Sequence, residues 1–130
     1  MATGFLTVAS GYGSVAAGLF TTAQSRTEVA IGQCNDVSAT PCSEDWCASD
    51  AIFRVGNGSS QGFGCGSRND AFKVMKDGTV YVADVELTAH LHEMKALKEE
   101  VANLKSIVMQ LSTSLAELAP SLKTVAAKPV

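Results

Sequence analysis

Val15-Ala16-Ala17-Gly18 returns 14 positions later as Val29-Ala30-Ile31-Gly32, and no other feature restricts the fold of this chain as strongly. The register extends backwards to Met1-Ala2-Thr3-Gly4. The residues after each glycine agree as well, Phe5-Leu6-Thr7-Val8-Ala9 against Leu19-Phe20-Thr21-Thr22-Ala23. A fixed short period means stacked, similar units. Fourteen residues are too few for a helical repeat, but they suit two short strands and two turns, one coil of a β-solenoid. Val29 and Ile31 alternate with Glu28 and Ala30, which fits a strand with one buried face. Alanine and glycine at fixed sites let neighbouring backbones come close.

Residues 34–51 break the beat. This stretch holds Asp36, Glu44, Asp45 and Asp50 without a Lys or Arg, and Pro41 with its Ser and Thr neighbours makes it a loop. Cys34, Cys42 and Cys47 lie here and Cys65 shortly after. An even count over a short span fits two disulfides in an oxidising compartment. Sequence alone does not choose among the three pairings; Cys42 with Cys47, and Cys34 with Cys65, is the preferred one. The spacing lacks the C-x₂-C hook common in zinc sites, so no metal is assigned. Trp46, the only tryptophan, stands beside Glu44 and Asp45. It reads either as a cover for the disulfides or as the anchor of a partner contact, since loops on rigid scaffolds often carry contacts.

Residues 52–84 read as a β connector. Ile52 and Arg54 face one way and Phe53 and Val55 the other, before a glycine turn. Phe72, Val74, Val80 and Val82 can line one face of a hairpin around Asp77-Gly78. From Leu87 the apolar residues keep heptad time. The a-sites are Leu87, Met94, Val101, Val108, Leu115 and Leu122; the d-sites are His90, Leu97, Leu104, Leu111, Leu118 and Val125. One polar exception among them is a coiled-coil signal. Glu93 and Glu100 at g lie five residues before Lys98 and Lys105 at e, which prefers a parallel assembly. Pro120 should end or kink this 85–119 stalk near Ala119, leaving 120–130 as a tail.

The net charge of −3 and pI of about 5.3 argue against nucleic acid as a partner. No apolar run reaches the roughly 18–20 residues of a membrane span. The first residues do not read as a secretory signal, so the chain is either leaderless or a piece of a longer one. Catalytic constellations are hard to assemble: the histidines are His90 and His92, without a sequence-local Ser or Cys partner. Residues 56–66 lack the lysine of a phosphate loop, so no cofactor is assigned. His90 reads as a solvated first-turn residue, with an axial metal or anion site as the alternative. Asn57-Gly58-Ser59 is a glycosylation sequon, or simply a turn.

The repeat resembles the head of the YadA-like trimeric autotransporter adhesins. Gly32-Gln33 with Asn35, then Phe53 to Gly58, then Arg68 to Val82, are similar to a module between such heads and the coiled coils of phage tail fibres. The cysteines and the acidic insert depart from that pattern. The resemblance covers about residues 1–84. It implies a mainly β, trimeric left-handed parallel β-roll (1–33), a β-hairpin connector and a C-terminal parallel trimeric coiled coil. The expected function is a fibrous homotrimer on a cell or virion surface, a structural stalk with an adhesive head. Its ligand would be a protein or glycan surface, and no membrane insertion is expected within this chain. The alternative is an architectural subunit docked on neighbouring structural subunits.

Overall fold

A computed structural model describes residues 1–127. In chain order the elements are β1 Ala2–Phe5, β2 Val8–Ala9, β3 Val15–Leu19, β4 Thr22–Ala23, β5 Val29–Gln33, β6 Ala51–Asn57, β7 Ser60–Gln61, β8 Gly64–Cys65, β9 Asp70–Met75, β10 Val80–Val82, β11 Val85–Glu86 and α1 Leu87–Ala126. They fall into two compact units, Met1–Ala89 and His90–Val130. Seven strands form one mixed sheet in the order β1-β3-β5-β6-β9-β10-β11, and β2 and β4 form a parallel pair of their own.

The sequence repeat is the strand register. Ala2 lies on Ala16, Ala16 on Ala30, Val15 on Val29, and in the second pair Val8 on Thr22. The ladder then continues past the insert, with Val29 on Phe53 and Gly32 on Gly56. Gly4, Gly18 and Gly32 stack in one column at φ +120°, +132° and +94°. A Cβ on any of them would strike the carbonyl of the glycine on the next strand, so only hydrogen fits. Two residues further on, Leu6, Phe20 and Cys34 turn the chain through left-handed conformations at φ 49°, 54° and 45°. The Phe20 N–H bonds the Phe5 carbonyl at 2.9 Å and the Cys34 N–H the Leu19 carbonyl at 3.0 Å, which holds each corner.

This architecture corrects the expected one. A trimeric β-roll head joined by a hairpin connector to a trimeric coiled-coil stalk is not what the structure shows. Repeat strands and connector strands share a single seven-stranded sheet, because β6 adds to β5 in parallel and β9 adds to β6 antiparallel. Among the described residues the C-terminal segment is one helix, with no second helix against it and no buried residue. The heptad pattern reports a stripe along a helix; it does not itself supply a partner, and the structure gives no evidence of a coiled coil or of fibrous trimeric adhesin features. Nor does the helix stop at Ala119. It runs to Ala126 with Pro120 inside it. Proline removes the hydrogen bond to the Ala116 carbonyl and crowds that carbonyl; on an exposed helix water can serve it instead. Of the expected 120–130 tail, residues 128–130 lie outside the described residues.

The two faces of the sheet differ. Along the inner face the cross-strand column runs Ala2, Ala16, Ala30, Arg54, Lys73. Ala16, Ala23 and Ala30 form the buried cluster, with Ala9 packed against it. Four methyl groups contribute only about 0.8 kcal/mol each, so backbone ladders and disulfides must supply much of what holds this unit. At β5 the buried alternate is Ala30, with Glu28 just before the strand also buried, while Ile31 is exposed. The outer face carries two apolar rows: Ala17, Ile31, Val55, Phe72 and Val82, beside Val15, Val29, Phe53, Val74 and Val80. Phe53 and Phe72 meet edge to face at 6.2 Å. At the hairpin, the Met75 N–H bonds the Thr79 carbonyl at 2.8 Å, so the loop is Lys76-Asp77-Gly78 rather than a two-residue turn. Gly78 alone of the three takes positive φ, and the Asp77 carboxylate accepts the Thr79 N–H, a bond that lowers its pKa.

Gly18→Ala should destabilise the sheet unit by more than about 2 kcal/mol, from left-handed strain plus the backbone clash. Gly64→Ala, where added carbon meets nothing, should stay within about 0.5 kcal/mol. Urea denaturation of the two variants side by side checks the contrast.

Candidate binding loop and its cleft

The loop after β5 is tied down at both ends and in the middle. Cys34 is bonded to Cys65 and Cys42 to Cys47, the preferred pairing, and no cysteine is free. Closing the longer loop stabilises the fold by about 3–4 kcal/mol on the chain-entropy account, and the shorter by about 2 kcal/mol. Cys42, Cys47 and Asp50 cluster within 4.8 Å, but both sulfurs are consumed by their disulfide, so the cluster offers no thiolate pair to a metal.

An ionic network anchors the loop from within. Arg54 stands where the inner column would place the next alanine, and its side chain is almost wholly buried. Its Nε donates to Glu28 Oε1 at 2.7 Å, Nη1 to Asp70 Oδ2 at 2.8 Å, and Nη2 to the Ser38 hydroxyl at 3.0 Å. Glu28 Oε2 accepts the Gln24 and Ser25 N–H groups, each at 2.8 Å. Asp70 Oδ1 accepts the Asp36 N–H at 3.0 Å. One guanidinium thus joins the turn before β5, β9 and the first half of the loop. Burial raises the Asp70 pKa above its usual 3.8, opposed by the Arg54 charge and hydrogen bond. Asn35, fully buried, bonds both the N–H and the carbonyl of Thr22 at 2.8 and 2.9 Å.

The far half of the loop carries the expected contact residues. Trp46 is 55% exposed, and Glu44 and Asp45 are exposed beside it. Beneath the indole, Lys76 Nζ lies 5.1 Å from the ring centroid and 3.7 Å from Asp50 Oδ2. That ammonium is sealed from solvent without a hydrogen-bond acceptor. Charge and the ring's negative face hold it instead. The Asp50 carboxylate also accepts the Cys42 N–H at 3.0 Å, and its carbonyl accepts the Lys76 N–H at 2.9 Å. Trp46 therefore covers the loop's base with part of its surface and presents the rest outward.

Between the loop and the repeat lies an open cleft of about 490 Å³ lined by Ser10, Tyr12, Arg26, Ser43 and Glu44. The Tyr12 N–H bonds the Ser43 carbonyl at 2.8 Å and the Arg26 N–H the Cys42 carbonyl at 2.9 Å, so the loop docks as an extra edge. Arg26 Nη1 donates to the Glu44 carbonyl at 2.6 Å, and its guanidinium lies 5.2 Å from the Tyr12 centroid.

Arg54, Glu28, Asp70, Lys76, Tyr12 and Arg26 did not stand out in the sequence as site residues. A signal for Arg54 was present: Phe53-Arg54-Val55-Gly56 follows the beat of Val29-Ala30-Ile31-Gly32 once the insert is skipped. Other candidates remain apart. His90 is an exposed helix residue 3.4 Å from Glu93. Asn57 is exposed at the end of β6. Every heptad residue from Met94 to Val125 named above is also exposed.

No protein-family model, no curated protein and no solved structure matches the chain, and nothing among these comparisons points to an enzyme.

Arg54→Met should cost about 3–5 kcal/mol, because Glu28 and Asp70 are left buried without their cation. The sign with pH follows from the raised Asp70 pKa. A carboxyl that binds its proton more tightly folded than unfolded favours the fold at low pH and withdraws that contribution as pH rises through the folded pKa. With the cation gone the pKa rises further, so the variant should lose stability more steeply than wild type between pH 3.8 and neutrality. Thermal melts across that range measure both effects; a parallel offset with no added slope would contradict this account.

Proposed function

We propose that this chain is a structural, adhesive surface protein whose sheet unit displays the disulfide-closed loop as its contact surface, and whose helix meets copies of the chain. The observation carrying the first half is Trp46: a large aromatic, more than half exposed, held in a loop closed by the Cys42–Cys47 disulfide, over a buried ammonium. Tryptophan is enriched at binding hot spots, and a rigid mount lowers the ordering penalty of association. The disulfides favour a location outside the reducing cytosol. The resemblance of the repeat and connector motifs to surface-protein modules points the same way.

The helix supports the second half. It has 40 residues and none is buried, yet helices of this kind draw most of their stability from packing an apolar face. Copies of the chain are the favoured occupant because the helix carries both signs of charge, Glu93 and Glu100 with Lys98 and Lys105, so one copy offers partners to the charges of another. A second reading, an architectural subunit, is favoured by the apolar rows on the outer face of the sheet, where Ile31 and Val82 are exposed.

Two measurements test the proposal. Trp46→Ala combined with Glu44→Ala should abolish binding to the native surface while the melting temperature changes little; retained binding with a lowered melting temperature would assign Trp46 to structure alone. Leu104→Asp should abolish self-association, since buried unpaired charge costs several kcal/mol per ion, whereas Glu99→Ala should leave it unchanged. Light scattering reads the mass of each; equal behaviour of the two variants would remove the helix from the interface. Stoichiometric co-purification with other structural proteins from the native source would favour the architectural reading.

A further inference from the structure

The cleft beside the loop has a chemistry of its own. Tyr12 and Arg26 occupy equivalent places in successive repeats, so the strand register stacks them on one wall. The opposite wall, Ser43 and Glu44, is fixed by the Tyr12 and Arg26 backbone bonds to the loop and by the adjoining Cys42–Cys47 disulfide. Both walls are therefore set before any ligand arrives.

The lining groups select among ligands. Arg26 has five N–H donors, and the Glu44 carbonyl takes one of them, on Nη1. The Glu44 carboxylate accepts only, and the hydroxyls of Ser10, Tyr12 and Ser43 do both. Tyr12 is 68% exposed and offers the uncovered part of its ring as a flat apolar platform. An anion would suit Arg26 but face Glu44 and the acidic loop. A cation would suit Glu44 but face Arg26. An apolar molecule would strand every polar group in the lining. A ring of hydroxyls with one C–H face satisfies all of them at once, and the volume lies within the usual range of about 300–1,000 Å³ for small-ligand sites.

We infer that this cleft binds one pyranose ring of a neutral glycan. The Glu44 carboxylate accepts from two of its hydroxyls, Arg26 donates to its oxygens, and Tyr12 packs on its C–H face. This rests on the surface-binding reading above and gives that reading a ligand class.

The test uses the intact, oxidised chain. Saturation-transfer NMR and titration calorimetry are run with the methyl glycosides of glucose and galactose and with N-acetylglucosamine. Sialic acid serves as the anionic comparison and a short neutral peptide as the alternative class. The expected result is saturable millimolar binding of at least one neutral pyranoside, weakened about tenfold or more, about 1.4 kcal/mol, by Tyr12→Ala and by Glu44→Gln and unchanged by Glu99→Ala. Glu44→Gln lies on an exposed loop position, so it keeps the test valid if Tyr12→Ala fails to fold. Binding of the peptide or of sialic acid alone would overturn the inference, as would no saturable binding of any neutral sugar, or sugar binding that survives Glu44→Gln. If the chain still binds its native surface when no sugar binds, the glycan inference falls and the surface reading stands. If it binds no surface, that reading falls on its own.

Discussion

Close stacking of successive strands is the constraint from which the rest of the sheet unit follows. The column Gly4, Gly18, Gly32 admits no Cβ, because the next strand's carbonyl occupies that space. It forces a glycine at the same place in every repeat and so fixes the fourteen-residue beat. Inside the repeat the buried cluster is made of small side chains, Ala16, Ala23 and Ala30. An alanine core is thin. The unit depends on backbone ladders and two disulfides in place of a large apolar interior.

Arg54 marks where this pattern changes. It stands in the alanine column, one strand beyond Ala30. There the chain has returned from the insert, and a guanidinium fills the space with three partners from three segments. The same strand is where parallel pairing gives way to antiparallel pairing with β9. A buried ion pair adds little net stability over an apolar replacement of the same shape, but removing one member is costly. Its role here is positional: it ties the start of the loop to the sheet, and the loop in turn carries Trp46 and closes the cleft over Tyr12 and Arg26. Site and scaffold are thus coupled through one side chain that touches neither the indole nor the cleft.

The strand register was legible because the repeat is itself the hydrogen-bond register. Val15 on Val29 and Gly18 on Gly32 can be read as sequence identities before any strand is drawn. The hairpin partners Val74 and Val80, and Phe72 and Val82, follow from alternation around Asp77-Gly78. The cleft was not legible. Tyr12 and Arg26 are unremarkable residues 14 apart, and nothing local says that residues 42–44 will lie across them. Lys76 looked like a turn residue; only the return of Asp50 and Trp46 over it seals its ammonium.

By itself the sequence determined the local periods: a strand beat of fourteen, an insert that interrupts it, a hairpin, and a helix with one apolar stripe. These are written in spacing, because hydrogen-bond geometry and side-chain alternation repeat at fixed residue intervals. Tertiary structure alone decided three things. It made one mixed sheet of what looked like a head and a connector, because β6 pairs with β5 across the insert. It chose which face is inside, burying Ala30 and leaving Ile31 exposed, because alternation along a strand separates two faces without saying which one another layer will cover. And it left the heptad stripe of a single helix exposed, because a repeating apolar pattern states what a helix can bury and not what is there to bury it against.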